Sequence, residues 1–173
     1  MTPMTDLRKA AWLALLVPLA LLCGAFASER MGLVACEMCW WQRWAHMYAL
    51  PPAATALVFQ TRRLREGRTT LADRNTRFWA VAAACAVLAS GLIGAYHAGV
   101  EYGWWIGHTA CTTAAPGGTT LTELSANLAT TPLIRCDQAQ WTLMGISLAG
   151  WNALVSTTGA VVIARLCLKD RRS

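Results

Sequence analysis

The sequence predicts an all-α membrane protein: a four-transmembrane-helix bundle with both termini cytoplasmic and two periplasmic loops. Three observations lead there. Of 173 residues, 55% are hydrophobic and 14% charged, too few charges to cover a water-facing surface comfortably. Four apolar stretches, about 10–28, 40–59, 78–100 and 142–164, each approach the ~20 residues that a helix needs to cross hydrocarbon. The basic residues cluster beside alternate ends of those stretches. Lipid offers no partner to an open strand or loop, so a short chain with four close spans has little choice but a helical bundle. Residues 1–173 thus read as a single integral membrane domain with periplasmic loops at about 29–39 and 101–141.

A net charge of +6 would raise the question of nucleic acid in a soluble protein, but the placement of the charges answers it. Arg8 and Lys9 precede the first span; Arg62, Arg63, Arg65, Arg68, Arg74 and Arg77 fill the loop between spans two and three; Arg165, Lys169, Arg171 and Arg172 follow the fourth. Twelve of the 15 basic residues therefore fall on one side. By the positive-inside rule that side is the cytoplasm, and the basic balance reports topology rather than a nucleic-acid partner. Tryptophan agrees, since its ring prefers the water–lipid boundary. Trp40, Trp41, Trp44, Trp104, Trp105 and Trp141 fall at the outer boundary, Trp12 and Trp79 at the inner one, and Trp151 within a span.

Arg8-Lys9, an apolar run and Ala25-Phe26-Ala27 also resemble a secretory signal with a small-residue cleavage site. The run is long for a signal and further spans follow, so it is expected to stay as span one. Pro18 and Pro51-Pro52 lie inside spans, where neighbouring helices or water can meet the freed carbonyls.

The topology sorts the seven cysteines. Cys23 and Cys85 lie within spans and Cys167 at a cytoplasmic end, where free cysteine behaves as a small buried hydrophobe. Cys36, Cys39, Cys111 and Cys136 fall in or beside the two outer loops, in an oxidising compartment where disulfides persist. One close pair and one wide pair fit two disulfides able to exchange with each other.

Cys36-Glu37-Met38-Cys39 stands immediately before span two, which places Cys39 in the first turn of that helix or its cap. The partial positive charge of a helix N-terminus and a nearby cation both favour thiolate, the form that attacks disulfides. Arg43, four residues on, shares the helical face of Cys39 one turn deeper. A cation at that depth needs a partner, and a quinone carbonyl gaining negative charge on reduction would be one; the competing reading has Arg43 snorkelling to lipid phosphate. Glu37 opposes thiolate formation by like charge.

Cys111 and Cys136 enclose a Thr-, Gly- and Ala-rich segment with Pro116-Gly117-Gly118, which reads as mobile. Within it Thr120-Leu121-Thr122-Glu123 resembles a capping box, and Leu121, Leu124 and Leu128 would line a short helix on the membrane surface. An inert structural staple is the alternative reading of that loop. His97, after Tyr96 near the outer end of span three, is a candidate contact for a quinone head group; His46 and His108 carry no role.

These residues together resemble the disulfide bond formation protein B (DsbB) family. The resemblance rests on Cys36-Glu37-Met38-Cys39-Trp40-Trp41-Gln42-Arg43, on Ala95-Tyr96-His97, on Cys111 and Cys136, and on Arg135-Cys136-Asp137 leading through Trp141 into Met144-Gly145-Ile146-Ser147; it covers nearly the whole chain. It implies a multi-pass protein of the bacterial inner membrane that takes electrons from a periplasmic DsbA-like dithiol protein and delivers them to a membrane quinone, ubiquinone or menaquinone. In that scheme the partner attacks at Cys111 and frees Cys136, Cys136 exchanges with Cys36, Cys39 faces the quinone as thiolate, and Arg43 and His97 hold the head group. Two departures stand out: Ala35 occupies a position where the family often has proline, and the acidic Glu37 lies inside a motif that is usually apolar there.

The rival readings are a four-cysteine zinc module, a haem protein using His46 and His97, a vitamin K epoxide reductase-type enzyme, and a non-catalytic membrane assembly protein with structural disulfides. The oxidising compartment and the two separate loops disfavour zinc, and no metal is expected. His46 and His97 lie at different depths in different spans, and the last span has no CxxC.

Overall fold

The computed structural model describes residues 5–66, 70–109, 120, 122 and 135–169. Four helices make up most of it: α1 (Asp6–Arg30), α2 (Glu37–Glu66), α3 (Thr70–Glu101) and α4 (Leu148–Lys169), with a two-stranded antiparallel hairpin, β1 (Thr142–Leu143) and β2 (Ile146–Ser147), ahead of α4. Successive helices pack side by side, α4 closes back onto α1, and α1 meets α3 across the diagonal.

Three of the helices, α1, α3 and α4, are long and apolar enough to cross a membrane. The fourth, α2, is the exception to the expected set. Its 30 residues would span ~45 Å at 1.5 Å per residue, but Gln42, Arg43, His46 and Gln60 dilute its apolar run, and these polar side chains are turned inward and buried.

The start of the last helix is a correction. The apolar stretch read as beginning at 142 opens with the hairpin instead, because Met144 (φ 53°) and Gly145 (φ 78°) both adopt left-handed backbone, the conformation that a tight two-residue hairpin requires. Ser147 then caps α4, its Oγ accepting from the Gly150 N–H at 3.1 Å. Trp151 consequently sits in the first turn of α4 rather than deep in a span, and its Nε1–H donates to the Leu143 carbonyl at 3.2 Å.

α1 ends at a glycine for a physical reason. Gly32 takes φ 93°, and the N–H groups of Gly32 and Leu33 return to the carbonyls of Glu29 and Ser28 at 3.0 and 3.1 Å, closing the helix in a Schellman motif. The chain then reverses within a few residues into α2. At the opposite end of the bundle, Lys169 Nζ pairs with Asp6 at 3.0 Å and Arg77 Nε donates to the Cys167 carbonyl at 3.0 Å, so the start of α1 and the end of α4 lie together.

The interior has three layers. Near the Asp6–Lys169 end is an alanine-rich core that includes Ala10, Ala14, Ala53, Ala56, Ala80, Ala83 and Ile163; small side chains let the helices approach closely. Near the Cys36 end is a small cluster of Cys36, Met38, Val100 and Cys136, with Cys39 and Tyr96 against it. Between them lies a polar layer. The α3–α4 approach there depends on Gly94, where a Cβ would sit 2.9 Å from Asn152 Nδ2 and 3.0 Å from the Ala149 carbonyl.

Candidate active site

Cys36 is the N-cap of α2. Its carbonyl accepts from the Trp40 N–H at 3.1 Å, and its Sγ accepts from the Cys39 N–H at 3.4 Å, so sulfur occupies the place where a serine or aspartate oxygen usually satisfies an orphan N–H. Both residues are thiols, with Cys36 Sγ–H donating to Cys39 Sγ at 3.1 Å. Cys39 lies in the first helical turn, as its position ahead of the apolar stretch 40–59 predicts. The hydrogen bond from Cys36 holds the Cys39 thiol well below the usual range, while the same contact, together with burial, raises Cys36. The proton shared by the pair therefore belongs to Cys36, and Cys39 carries the charge.

Cys36, Cys39, Arg43 and His97 line one cavity of about 250 Å³ that reaches down to His46 and Asn152. His97 is 2% exposed. Its Nε2 lies 3.5 Å from Cys36 Sγ and 3.7 Å from Glu101 Oε1, and its Nδ1 is 3.0 Å from Gln42 Nε2. The cavity is lined from all four helices, from the chain ahead of α2 and from segment 135–141.

Arg43 has partners within the protein. Its Nη1 pairs with Glu29 Oε1 at 2.6 Å, its Nη2 donates to the Ala25 carbonyl at 3.0 Å, and its guanidinium lies 5.0 and 5.1 Å from the Phe26 and Trp40 ring centres. Snorkelling is not needed to satisfy it: Arg43 is 5% exposed, and α1 supplies both its acceptors.

Cys136 is fully buried and packs in the cluster that holds Cys36; Thr109 Oγ1 donates to its Sγ at 3.4 Å. Segment 135–141 is fastened to the chain ahead of α2 by Gln140, whose amide bonds both the N–H and the carbonyl of Val34. Arg135 makes a two-pronged ion pair with Asp137 through Nε and Nη2. Cys111 lies outside the described residues, as does the stretch expected to form a surface helix apart from Thr120 and Thr122, and Cys136 is a free thiol.

Several side chains at the site escaped the sequence reading: Gln42, His46, Ser90, Glu101, Asn152 and Ser156. Asn152 Nδ2 donates to Gln42 Oε1 at 2.8 Å, and His46 Nε2 lies 2.9 Å from both Asn152 Oδ1 and Ser90 Oγ. His46, given no role from sequence, is the centre of this buried layer. The available signal was spacing: Cys39, Gln42 or Arg43, and His46 recur on one helical face, and polar groups inside a span usually face the bundle interior.

Apolar helices that hold a dithiol at the head of a buried polar cavity define a membrane protein of thiol–disulfide chemistry. Residues 7–166 match the family described as disulfide bond formation protein DsbB, and the chain belongs to that family, whose members are disulfide oxidoreductases of the inner membrane. No curated protein and no solved structure matched.

Proposed function

We propose that this protein is a thiol:quinone oxidoreductase that reoxidises a periplasmic DsbA-type dithiol protein and passes two electrons to a membrane quinone, ubiquinone or menaquinone. The observation that carries this reading is the Cys36–Cys39 dithiol, polarised toward a Cys39 thiolate, opening into a cavity lined by Arg43 and His97.

The same reading makes α2 the fourth span. With α1, α3 and α4 as spans, the contact of Asp6 with Lys169 supports an even number of crossings, with α2 as the additional one. The arginines in the last turns of α2 and the first turns of α3, Arg62, Arg65, Arg74 and Arg77 among them, then share the cytoplasmic face with both termini, as the positive-inside rule asks.

The cavity suits a quinone head. Among the described residues Glu101 Oε2 and His46 Nδ1 are buried without a hydrogen-bond partner, which leaves polar groups in the lining for a ligand, and a Cβ at Gly24 would meet none of the described residues within 4 Å. When bound, the quinone supplies an acceptor for two electrons and two protons. Arg43 and His97 would hold its polar end, Arg43 countering the negative charge that develops there.

The protein's own steps are thiol exchanges. The partner's thiolate bonds to Cys111 and displaces Cys136 as thiolate; Cys136 bonds to Cys36 and displaces Cys39 as thiolate. The partner's second thiolate then closes the partner's own disulfide and displaces Cys111, and Cys111 bonds to Cys136 and displaces Cys36, leaving Cys36 and Cys39 both reduced. Shared packing of Cys136 with Cys36, and the contact of Cys136 with Thr109, two residues ahead of Cys111, support that order. Re-forming the Cys36–Cys39 bond releases the two electrons.

The sulfurs of Cys36 and Cys39 and a ring nitrogen of His97 lie within 4.8 Å of one another, a spacing that also suits a metal ion. Against that use, a metal-bound histidine donates its second N–H to an acceptor, whereas the group behind His97 is the N–H of Gln42. The test is to combine purified protein, a soluble quinone and a reduced DsbA-type protein and follow quinone absorbance. Reduction that depends on Cys39 is expected; equal reduction by Cys39→Ala would overturn the proposal.

A further inference from the structure

Gln42 has a role that follows from the direction of its hydrogen bonds. Its Nε2 lies 3.1 Å from the Met38 carbonyl and 3.0 Å from His97 Nδ1, while its Oε1 accepts from Asn152 Nδ2 at 2.8 Å. A main-chain carbonyl is only an acceptor, so the side facing Met38 must be the NH2 group. The opposite orientation would set Oε1 against the Met38 oxygen and Nε2 against the Asn152 amide, opposing acceptor to acceptor and donor to donor. Asn152 is itself fixed, since its Oδ1 accepts from Ser156 Oγ at 3.0 Å and its Nδ2 donates to the Ser90 carbonyl at 3.2 Å. The second amide hydrogen of Gln42 therefore points at His97 Nδ1, which has to accept it.

A neutral imidazole has one donor nitrogen and one acceptor nitrogen. If Nδ1 accepts, Nε2 carries the hydrogen, and Nε2 is the atom 3.5 Å from Cys36 Sγ and 3.7 Å from Glu101. We propose that Gln42 is a positioning residue that holds His97 neutral, in the tautomer protonated at Nε2, so that the ring acts on the Cys36–Cys39 sulfurs as a hydrogen-bond donor and not as a base. The alanine-rich packing below and Gly94 beside Asn152 keep this line of amides in register from α4 through α2 to α3.

The consequence for thiol exchange is specific. When an incoming thiolate bonds to Cys36, the Cys36–Cys39 bond breaks and its electron pair leaves on Cys39. The Nε2–H of His97 faces the sulfurs at that moment and stabilises the leaving thiolate; no proton transfer accompanies the step. A histidine with a bare Nε2 would offer a lone pair to the same anion and oppose it. An imidazolium would need Nδ1–H to face the Gln42 N–H, which the amide disfavours.

This inference rests on the functional reading above, but its decisive test does not need quinone or a partner. Histidine labelled with nitrogen-15 in the full-length, reduced protein in lipid nanodiscs gives three ring systems, those of His46, His97 and His108. At neutral pH the His97 ring is expected to be neutral with Nε2 protonated. Gln42→Glu, whose carboxylate only accepts, should move a proton onto Nδ1. A wild-type ring protonated at Nδ1, or a Gln42→Glu ring identical to wild type, would overturn the proposal. As a second readout, Gln42→Leu should slow opening of the Cys36–Cys39 disulfide by dithiothreitol about tenfold, the scale of one charge-assisted hydrogen bond. An unchanged rate would count against the donor role. Failure of the wild-type protein to reduce quinone would instead remove the functional reading and leave the tautomer result standing.

Discussion

The Gln140 side chain clasps the backbone of Val34 at both ends of its amide: the Val34 N–H donates to Oε1 at 2.9 Å, and Nε2 donates to the Val34 carbonyl at 2.6 Å. Val34 is two residues ahead of Cys36, and Gln140 four residues after Cys136. The clasp thus joins the two cysteine-bearing segments without using either sulfur. Each of its bonds contributes about 0.5–1.5 kcal/mol, enough to bias the approach of Cys136 to Cys36 but not to hold the fold. Gln140→Ala is expected to slow turnover of a reduced DsbA-type protein several-fold more than it slows turnover of a small dithiol that reduces Cys36–Cys39 directly. Equal slowing with both substrates would show that the clasp does not serve the exchange.

The cysteines divide into two sets with opposite expectations. Cys36→Ala, Cys39→Ala, Cys111→Ala and Cys136→Ala should each lower quinone-dependent oxidation of the protein thiol by at least ~100-fold, because in the proposed relay each removes a sulfur that forms and breaks a bond. Cys23→Ala, Cys85→Ala and Cys167→Ala should leave the rate within about twofold. Cys167, 1% exposed in the alanine-rich core, should show its loss in thermal stability instead, by about 1 kcal/mol. Near-normal turnover in any member of the first set would break the relay as written.

Arg43 and Glu29 make the next expectation quantitative. The guanidinium is nearly buried, while the side chain of Glu29 is 33% exposed, so removing the carboxylate leaves the cation with the Ala25 carbonyl as its one acceptor among the described residues. Losing one partner of a buried pair costs about 3–5 kcal/mol; solvent reaching Glu29 reduces that, and ~1–2 kcal/mol is expected for Glu29→Ala. Arg43→Ala should raise the KM for quinone about tenfold and change kcat less. A KM unchanged in Arg43→Ala would take the guanidinium out of the quinone site and leave it a tie between α1 and α2.

Sequence revealed the helices and the sulfurs because both signals are local. Apolar length reports a span regardless of what packs against it, and Cys36-Glu37-Met38-Cys39 before an apolar run reports a helix N-terminus. What stayed hidden depends on distant partners. The role of Glu29 appears only when the Gly32 turn brings α1 beside α2, and that of Asn152 only when Gly94 lets α4 approach α3. The start of α4 is not legible in the sequence because Thr142, Leu143 and Ile146 fit a hairpin as readily as a helix; the Met144-Gly145 turn that separates the two cases is a matter of backbone φ. His46 was passed over because a single histidine in a span carries no sign of its neighbours, here Ser90, Asn152 and Ser156 from two other helices.

The polarity of the dithiol predicts how Cys39 responds to acid. Its thiol is held low first by the hydrogen bond that Cys36 donates, and Cys36 is raised by the same contact. An ordinary cysteine, with pKa ~8.5, is almost wholly protonated at about pH 6. Cys39 in the reduced protein should still be thiolate there, seen as rapid alkylation by iodoacetamide and as thiolate absorbance in the ultraviolet. The sign for stability follows. A group whose folded pKa is depressed contributes fully above its unfolded value, and the contribution declines below it and is gone once pH falls through the folded value; the reduced protein should therefore lose stability relative to its Cys39→Ala variant as the solution is acidified from above ~8.5. Cys36→Ala deletes the donor and should raise the Cys39 pKa by at least ~1 unit, whereas Cys36→Ser keeps a hydroxyl donor at the N-cap and should raise it less. Identical alkylation profiles for Cys36→Ala and wild type would show that the helix N-terminus alone, and not the neighbouring thiol, sets the charge on Cys39.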